Sequence, residues 1–220
     1  MTRELPAIIE RERRPAPAPT PQALAWHDGS LWIGSRDLRR IHRMDAKAWT
    51  VSEEMEAPGI PWAAVSTGES LKFTLGEGPD DDRYLRRYVV GRGFSENERM
   101  PCPEFTGSYV GYDGTNLYLS QWYKHRILKL DSDGNILREI PIGAEICGHV
   151  FVDGSIFVLR GTEQGNEDWR IARLNSREAT PAIEDMARVP FQCRSLTFDG
   201  QHFWANHRVA GQIVSFDLPR

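Results

Sequence analysis

Residues 108–143, SYVGYDGTNLYLSQWYKHRILKLDSDGNILREIPIG, hold four short runs in which apolar and polar residues alternate, the period of a β-strand with one buried face. The runs are 109–112, 116–121, 126–131 and 136–142, and the Asp-Gly pairs at 113–114 and 133–134 mark hairpin turns. Four antiparallel strands in about 40 residues is the size of one propeller blade.

The same unit recurs along the chain. Glycines 29, 68, 114, 154 and 200 fall between the first and second strands of successive units, 39, 46, 40 and 46 residues apart. The third strands read RIHRMD (40–45), LRRYVVG (85–91), RILKLD (126–131), RIARLN (170–175) and QIVSFD (212–217). The fifth unit has three strands after residue 190, whereas IIERERRPAP (8–17) resembles the fourth strands that end at 58, 103, 143 and 190. This predicts an all-β fold: a five-bladed β-propeller of four antiparallel strands per blade, one domain over 1–220, closed by residues 8–13 pairing with 212–218. A β-sandwich would need seven to nine strands rather than about twenty in similar groups of four.

The chain has 220 residues with 27 basic and 31 acidic side chains, a net charge of −4, so nothing global favours a nucleic acid or an anionic membrane as partner. No apolar run approaches the roughly 18 residues of a membrane helix. Three cysteines, Cys102, Cys147 and Cys193, and an opening MTRELPAIIERERR without an apolar signal core lead to the expectation of a cytoplasmic protein with reduced thiols. The oligomeric state is not legible.

The motifs YDGTNLYLS with RILKLDSDGNI, echoed in WHDGSLWIGS and FDGQHFWAN, resemble the repeats of the NHL, SMP-30/gluconolactonase and virginiamycin B lyase type of propeller, and the blade number is similar to that of glutaminyl cyclotransferases. The resemblance implies the fold, because its residues form strands and turns. The FTQG-type segment of the cyclotransferases is not found, and of the gluconolactonase metal site only Glu77 and Asn206 fall near suitable places. The GH and WD signatures of WD40 repeats and the paired glycines of kelch repeats are absent.

In a propeller the segments leading into the innermost strands share one face with the loops between second and third strands, and that face is where function is expected. Arg36, Arg160 and Arg194, with His207, fall there in neighbouring blades. They either converge on a carboxylate- or phosphate-bearing molecule or pair with Asp37, Glu145 and Glu163. His149 and His207 are the acid–base candidates, oriented by Glu77 or Glu145, with each imidazole alternatively a hydrogen-bonded part of the wall. Trp62 and Trp122 would floor or flank a pocket beside Gln22, Gln121 and Lys124. Trp26, Trp32 and Trp204 recur at core positions. Cys147 and Cys193 occupy equivalent positions, as buried filler or as a thiolate site. No ligand spacing identifies a metal, so a divalent ion is an open cofactor choice. The longer loops of blades 2 and 4, GEGPDDDRY and RGTEQGNEDW, are candidate walls. Two functions follow: a lyase or hydrolase acting on a small anionic metabolite at the channel mouth, or a non-catalytic propeller module binding a protein or small ligand.

Overall fold

In the computed structural model, which describes residues 4–162, 168–178 and 181–219, twenty strands form five four-stranded antiparallel sheets. The first strand, β1 (Ile9–Pro15), belongs to the last sheet. Blade 1 is β2 (Pro21–His27), β3 (Ser30–Ser35), β4 (Arg40–Asp45) and β5 (Thr50–Glu56). Blade 2 is β6 (Ile60–Ser66), β7 (Leu71–Glu77), β8 (Asp82–Val89) and β9 (Gly93–Pro101). Blade 3 is β10 (Val110–Tyr112), β11 (Leu117–Gln121), β12 (Arg126–Leu130) and β13 (Ile136–Pro141). Blade 4 is β14 (Glu145–Val152), β15 (Ser155–Thr162), β16 (Asp168–Asn175) and β17 (Glu184–Val189). Blade 5 is β18 (Cys193–Phe198), β19 (Phe203–His207), β20 (Gln212–Asp217) and, outermost, β1.

The leading strands meet around the axis in the order β2, β6, β10, β14, β18 and back to β2, so the fold is a closed five-bladed propeller. Burial follows distance from the axis. Every residue of β2 except Trp26 is buried, whereas β1 is almost wholly exposed. Trp32 and Trp204 lie in the packing between blades as expected, in two separate clusters, and Trp26 is half-buried against the one that holds Trp204. The five repeat glycines all adopt positive φ, from 68° at Gly29 to 99° at Gly200, which is why the repeat keeps glycine at that turn. Gly148 answers to a different constraint: a Cβ there would lie 2.6 Å from the Leu196 amide nitrogen, so β14 and β18 approach too closely for any side chain.

Ring closure pairs the expected segments with bounds shifted from 8–13 to 9–15, from Ile9 opposite Asp217 to Pro15 opposite Gln212, with a bulge between Glu10 and Glu12. The segment before β1 does more than the sequence suggested. Ile8 donates its amide to the Arg188 carbonyl at 2.9 Å and Arg188 donates to Pro6, a parallel bridge to the outer strand of blade 4. Ile8 itself is buried in the core, worth about 1.5–3 kcal/mol. The N-terminal segment therefore completes blade 5 and ties it to blade 4.

Two loop expectations change. In blade 2 the third strand starts at Asp82, opposite Glu77, rather than at residue 85, so the expected wall contracts to a tight turn around Gly78–Asp81. In blade 4 the loop residues 163–167, Glu163 among them, lie outside the described residues.

Removing residues 1–15 should expose the β20 edge and release Ile8. A melt is expected to fall by about 10 °C or more, with association detectable by light scattering. An unchanged melting temperature in a monomeric truncation would contradict closure by β1.

Candidate functional site

Each blade carries a β-bulge where its innermost strand reaches the channel mouth. The register skips at Gln22 between Pro21 and Ala23, at Trp62 between Pro61 and Ala63, at Cys147 between Ile146 and Gly148, and between Arg194 and Thr197. In blade 3, Ser108 and Tyr109 together exchange backbone hydrogen bonds with the single residue Ser120. A bulge breaks the alternation of the strand and re-aims the side chain at that point. Gln22, Trp62 and Tyr109 thereby gather at one end of the channel beside Arg194, which pairs with Asn206 just before the blade 5 bulge, and an open cavity of about 440 Å³ there is lined by Trp62, Tyr109 and Arg194. Arg36, Arg83 and Arg208 complete its basic lining; Trp122, Tyr123, Ser108 and Glu145 form the rest.

The four guanidinium groups are held in different ways. Arg83 donates to the Asp81 carboxylate at 2.7 Å and to the Asp81 carbonyl at 2.9 Å, and lies 4.0 Å over the Trp62 ring. The Trp62 indole nitrogen in turn donates to Asp81 at 3.1 Å. Burial lowers the Arg83 pKa and Asp81 opposes the shift; arginine stays charged. Arg194 is buried, donates to the Cys193 carbonyl at 2.8 Å, and sits 4.9 Å from the Trp169 ring and 5.5 Å from the Trp122 ring. Arg208 donates to the Gln22 side-chain carbonyl at 2.8 Å. Arg36 pairs with Asp37 at 2.9 Å near the surface, an arrangement that adds little stability.

Beneath the mouth, Gln22 is fully buried and links four blades. Its amide nitrogen donates to the Tyr109 hydroxyl at 2.9 Å and to the Trp62 carbonyl at 3.2 Å, while Asn206 donates to the Gln22 backbone carbonyl at 3.0 Å. Burial pushes the Tyr109 phenol well above its ordinary pKa, Cys147 adding to the rise. The hydroxyl stays neutral.

Of the residues expected at the site, Arg36, Trp62, Trp122, Glu145 and Arg194 meet at the mouth, with Gln22 under it. Gln121 and Lys124 line an adjoining hollow of about 230 Å³ that shares Arg83, Ser108, Trp122 and Tyr123 with the mouth. There Gln121 donates to the Thr106 hydroxyl at 2.8 Å, and Lys124 is ion-paired with Glu104.

The remaining expected residues lie elsewhere. Arg160 spends its guanidinium on Asp185 at 2.7 Å, which Arg170 also bridges at 3.1 Å, so it ties strands of blade 4 together. Glu77 accepts from Arg99 at 3.0 Å and faces Arg86 at 3.6 Å, across the strands of blade 2. The pairs Cys193–His207 and Arg194–Asn206 are adjacent in the ladder, so alternation sends His207 and Arg194 to opposite faces of blade 5. His207 lies against Phe191, 5.3 Å between centroids, with Arg13 at 3.4 Å. His149 is buried between blades 3 and 4, over Gly111, its ring nitrogen Nε2 3.1 Å from the Tyr118 carbonyl. The expected convergence of Arg36, Arg160, Arg194 and His207 on one point does not occur.

The cysteines are buried free thiols. Burial pushes Cys102 up to about 12 and raises Cys193 further, the opposite of an activated nucleophile. Among the described residues no three His, Cys, Asp or Glu side chains are grouped to hold a metal ion. Sequence reasoning passed over Arg83, Tyr109 and Ser108 and gave Arg208 no role. Their only sequence signal is position, since Tyr109 falls where Gln22, Trp62 and Cys147 fall in their blades. Cys193, expected at the place equivalent to Cys147, is instead paired with His207 ahead of the blade 5 bulge.

No protein-family model matches the sequence, and comparison with curated proteins finds no match. Among solved structures, the chain is similar to glutaminyl cyclase from Myxococcus xanthus, with a TM-score of 0.72 and 12% identity over 96% of this chain and 97% of that one. It is also similar to aldose sugar dehydrogenase from Streptomyces coelicolor, in its PQQ-bound form (TM-score 0.63, 12% identity, 97% and 98% covered). A third is virginiamycin B lyase from Staphylococcus aureus (TM-score 0.53, 18% identity, 93% and 68% covered). These structures are propellers, in agreement with the propeller resemblance of the repeats, and at such identities the likeness carries the fold alone.

Burial lowers the His149 pKa to about 4, against 6.5 for the free group. The unfolded chain then binds the proton more readily, so stability is fully present above pH 6.5 and is lost as pH falls toward 4. The His149→Gln variant retains a donor for the Tyr118 carbonyl and should lose about 2 kcal/mol less than the parent between pH 7 and pH 5. Denaturant melts at the two pH values measure this; equal losses would place the acid sensitivity in other groups.

Proposed function

We propose that the channel mouth binds a small organic anion, a carboxylate or phosphate ester carrying a planar apolar portion. The observation that supports this is the set of four guanidinium groups, Arg36, Arg83, Arg194 and Arg208, around one open cavity with Trp62 and Trp122. They come from blades 1, 2 and 5, which no local helix or hairpin would bring together. Counting Glu145 and the partners Asp37 and Asp81, the described charge at the mouth remains positive. Guanidinium groups stacked on indoles have their planes fixed, which suits the planar recognition of an oxyanion. The indoles offer an apolar wall to the rest of the ligand.

Enzymatic use of this site, as a lyase or hydrolase, is a second reading favoured by one observation: Glu145, at the start of β14, brings a carboxylate to the same cavity. A proton transfer would fall to Glu145, because His149 and His207 are outside the mouth. Without such chemistry the same geometry describes a small-molecule binding module.

Calorimetric titration with phenyl phosphate tests the binding reading, with benzyl alcohol as the uncharged counterpart. Phenyl phosphate should bind and weaken with salt, and Arg36→Gln should cost several-fold in affinity without lowering the melting temperature. Equal binding of the neutral compound, or no binding of the anion, would contradict the proposal.

A further inference from the structure

We infer that Tyr109 donates its phenolic hydrogen to the bound ligand's oxyanion, with Gln22 as the positioning residue that leaves this hydrogen available. The inference rests on the anion-binding reading of the mouth and assigns its deepest contact. Arg208 can only donate, so the Gln22 atom it meets at 2.8 Å is the carbonyl oxygen. The other side-chain atom is then the amide nitrogen, which also only donates, to Tyr109 at 2.9 Å and to the Trp62 carbonyl at 3.2 Å. Both amide hydrogens are thereby used, and the Tyr109 oxygen is an acceptor in the bond to Gln22. Its own hydrogen has no acceptor among the described residues, while the side chain lines the cavity.

A buried hydroxyl hydrogen without an acceptor is costly, and a ligand oxygen at the floor of the mouth would satisfy it. The phenol is 4% exposed and held neutral by burial, so it contributes a donor without adding charge. Together with the arginines it favours ligands that place an oxygen lone pair at the floor: carboxylates and phosphate esters over ammonium compounds or apolar rings. Gln22 touches no ligand in this account. Its role is to fix the direction of the Tyr109 hydrogen through the three bonds it makes.

The test uses the full-length protein and phenyl phosphate. Tyr109→Phe keeps the ring and should weaken binding about tenfold to a hundredfold. Replacing Tyr109 by 3-fluorotyrosine makes the hydroxyl a stronger donor and a weaker acceptor, so binding should tighten a few-fold if the hydroxyl donates to the ligand. A hydroxyl that serves only the Gln22 contact predicts no gain, and unchanged or weakened binding by the fluorinated protein would overturn the inference. The fluorinated protein carries the test alone if Tyr109→Phe does not fold. Binding that responds to Arg36→Gln but to neither change at Tyr109 overturns this inference and leaves the anion site standing. Absence of any phenyl phosphate binding by the parent protein overturns both.

Discussion

The pairing of β1 with β20 joins residues 197 to 208 positions apart, with the Arg11–Asp217 ion pair, 206 residues apart, lying along it at 2.6 Å. Closing so long a loop is entropically slow but grows only weakly in cost with length. What it secures is the mutual position of blades that share no ladder. The mouth draws Gln22 from blade 1, Trp62 and Arg83 from blade 2, Tyr109 from blade 3, and Arg194 and Arg208 from blade 5. Apart from the stacking of Arg83 on Trp62 within blade 2, the contacts described among them cross blade boundaries. An open ring would separate Asn206 from Gln22, and with it the bond from Arg208 that fixes the Gln22 amide.

Inside that closed ring, the bulges convert a structural repeat into a site. A regular strand would send alternate residues into the two inter-blade interfaces, where apolar side chains belong. An extra residue turns a side chain toward the axis instead: Gln22, Trp62, Tyr109 and Cys147 fill that place in blades 1 to 4, and in blade 5 Arg194, still paired with Asn206, stands immediately before the bulge at 195–196. The divergence of these five, on a backbone that otherwise repeats, is what gives the mouth its mixture of hydrogen-bond donors, aromatic walls and positive charge.

The fold was legible because its signals are local. The turn glycines need positive φ and the strands need period 2, and both survive in each blade. Strand β1 was legible by elimination, from a fifth blade one strand short. The site was legible only in part. Arg36, Trp62, Trp122, Glu145 and Arg194 were reached by counting along blades. His207 was misplaced because the face of a strand depends on register, and Arg160 because its carboxylate partner, Asp185, lies 25 residues away on β17. Arg83 escaped notice since the strand boundary in blade 2 falls at Asp82 rather than beyond it. Tyr109 looked like an ordinary strand residue, and only the bulge opposite Ser120 turns it to the axis.

The most direct test of the central claim, an oxyanion held by guanidinium groups over a phenolic floor, is an anomalous difference map from crystals soaked in selenate. The account predicts a peak inside the mouth within hydrogen-bond reach of Arg208 or Arg194 and of the Tyr109 hydroxyl. Selenate found only at surface lysines and arginines, with the mouth holding none at saturating concentration, would contradict it.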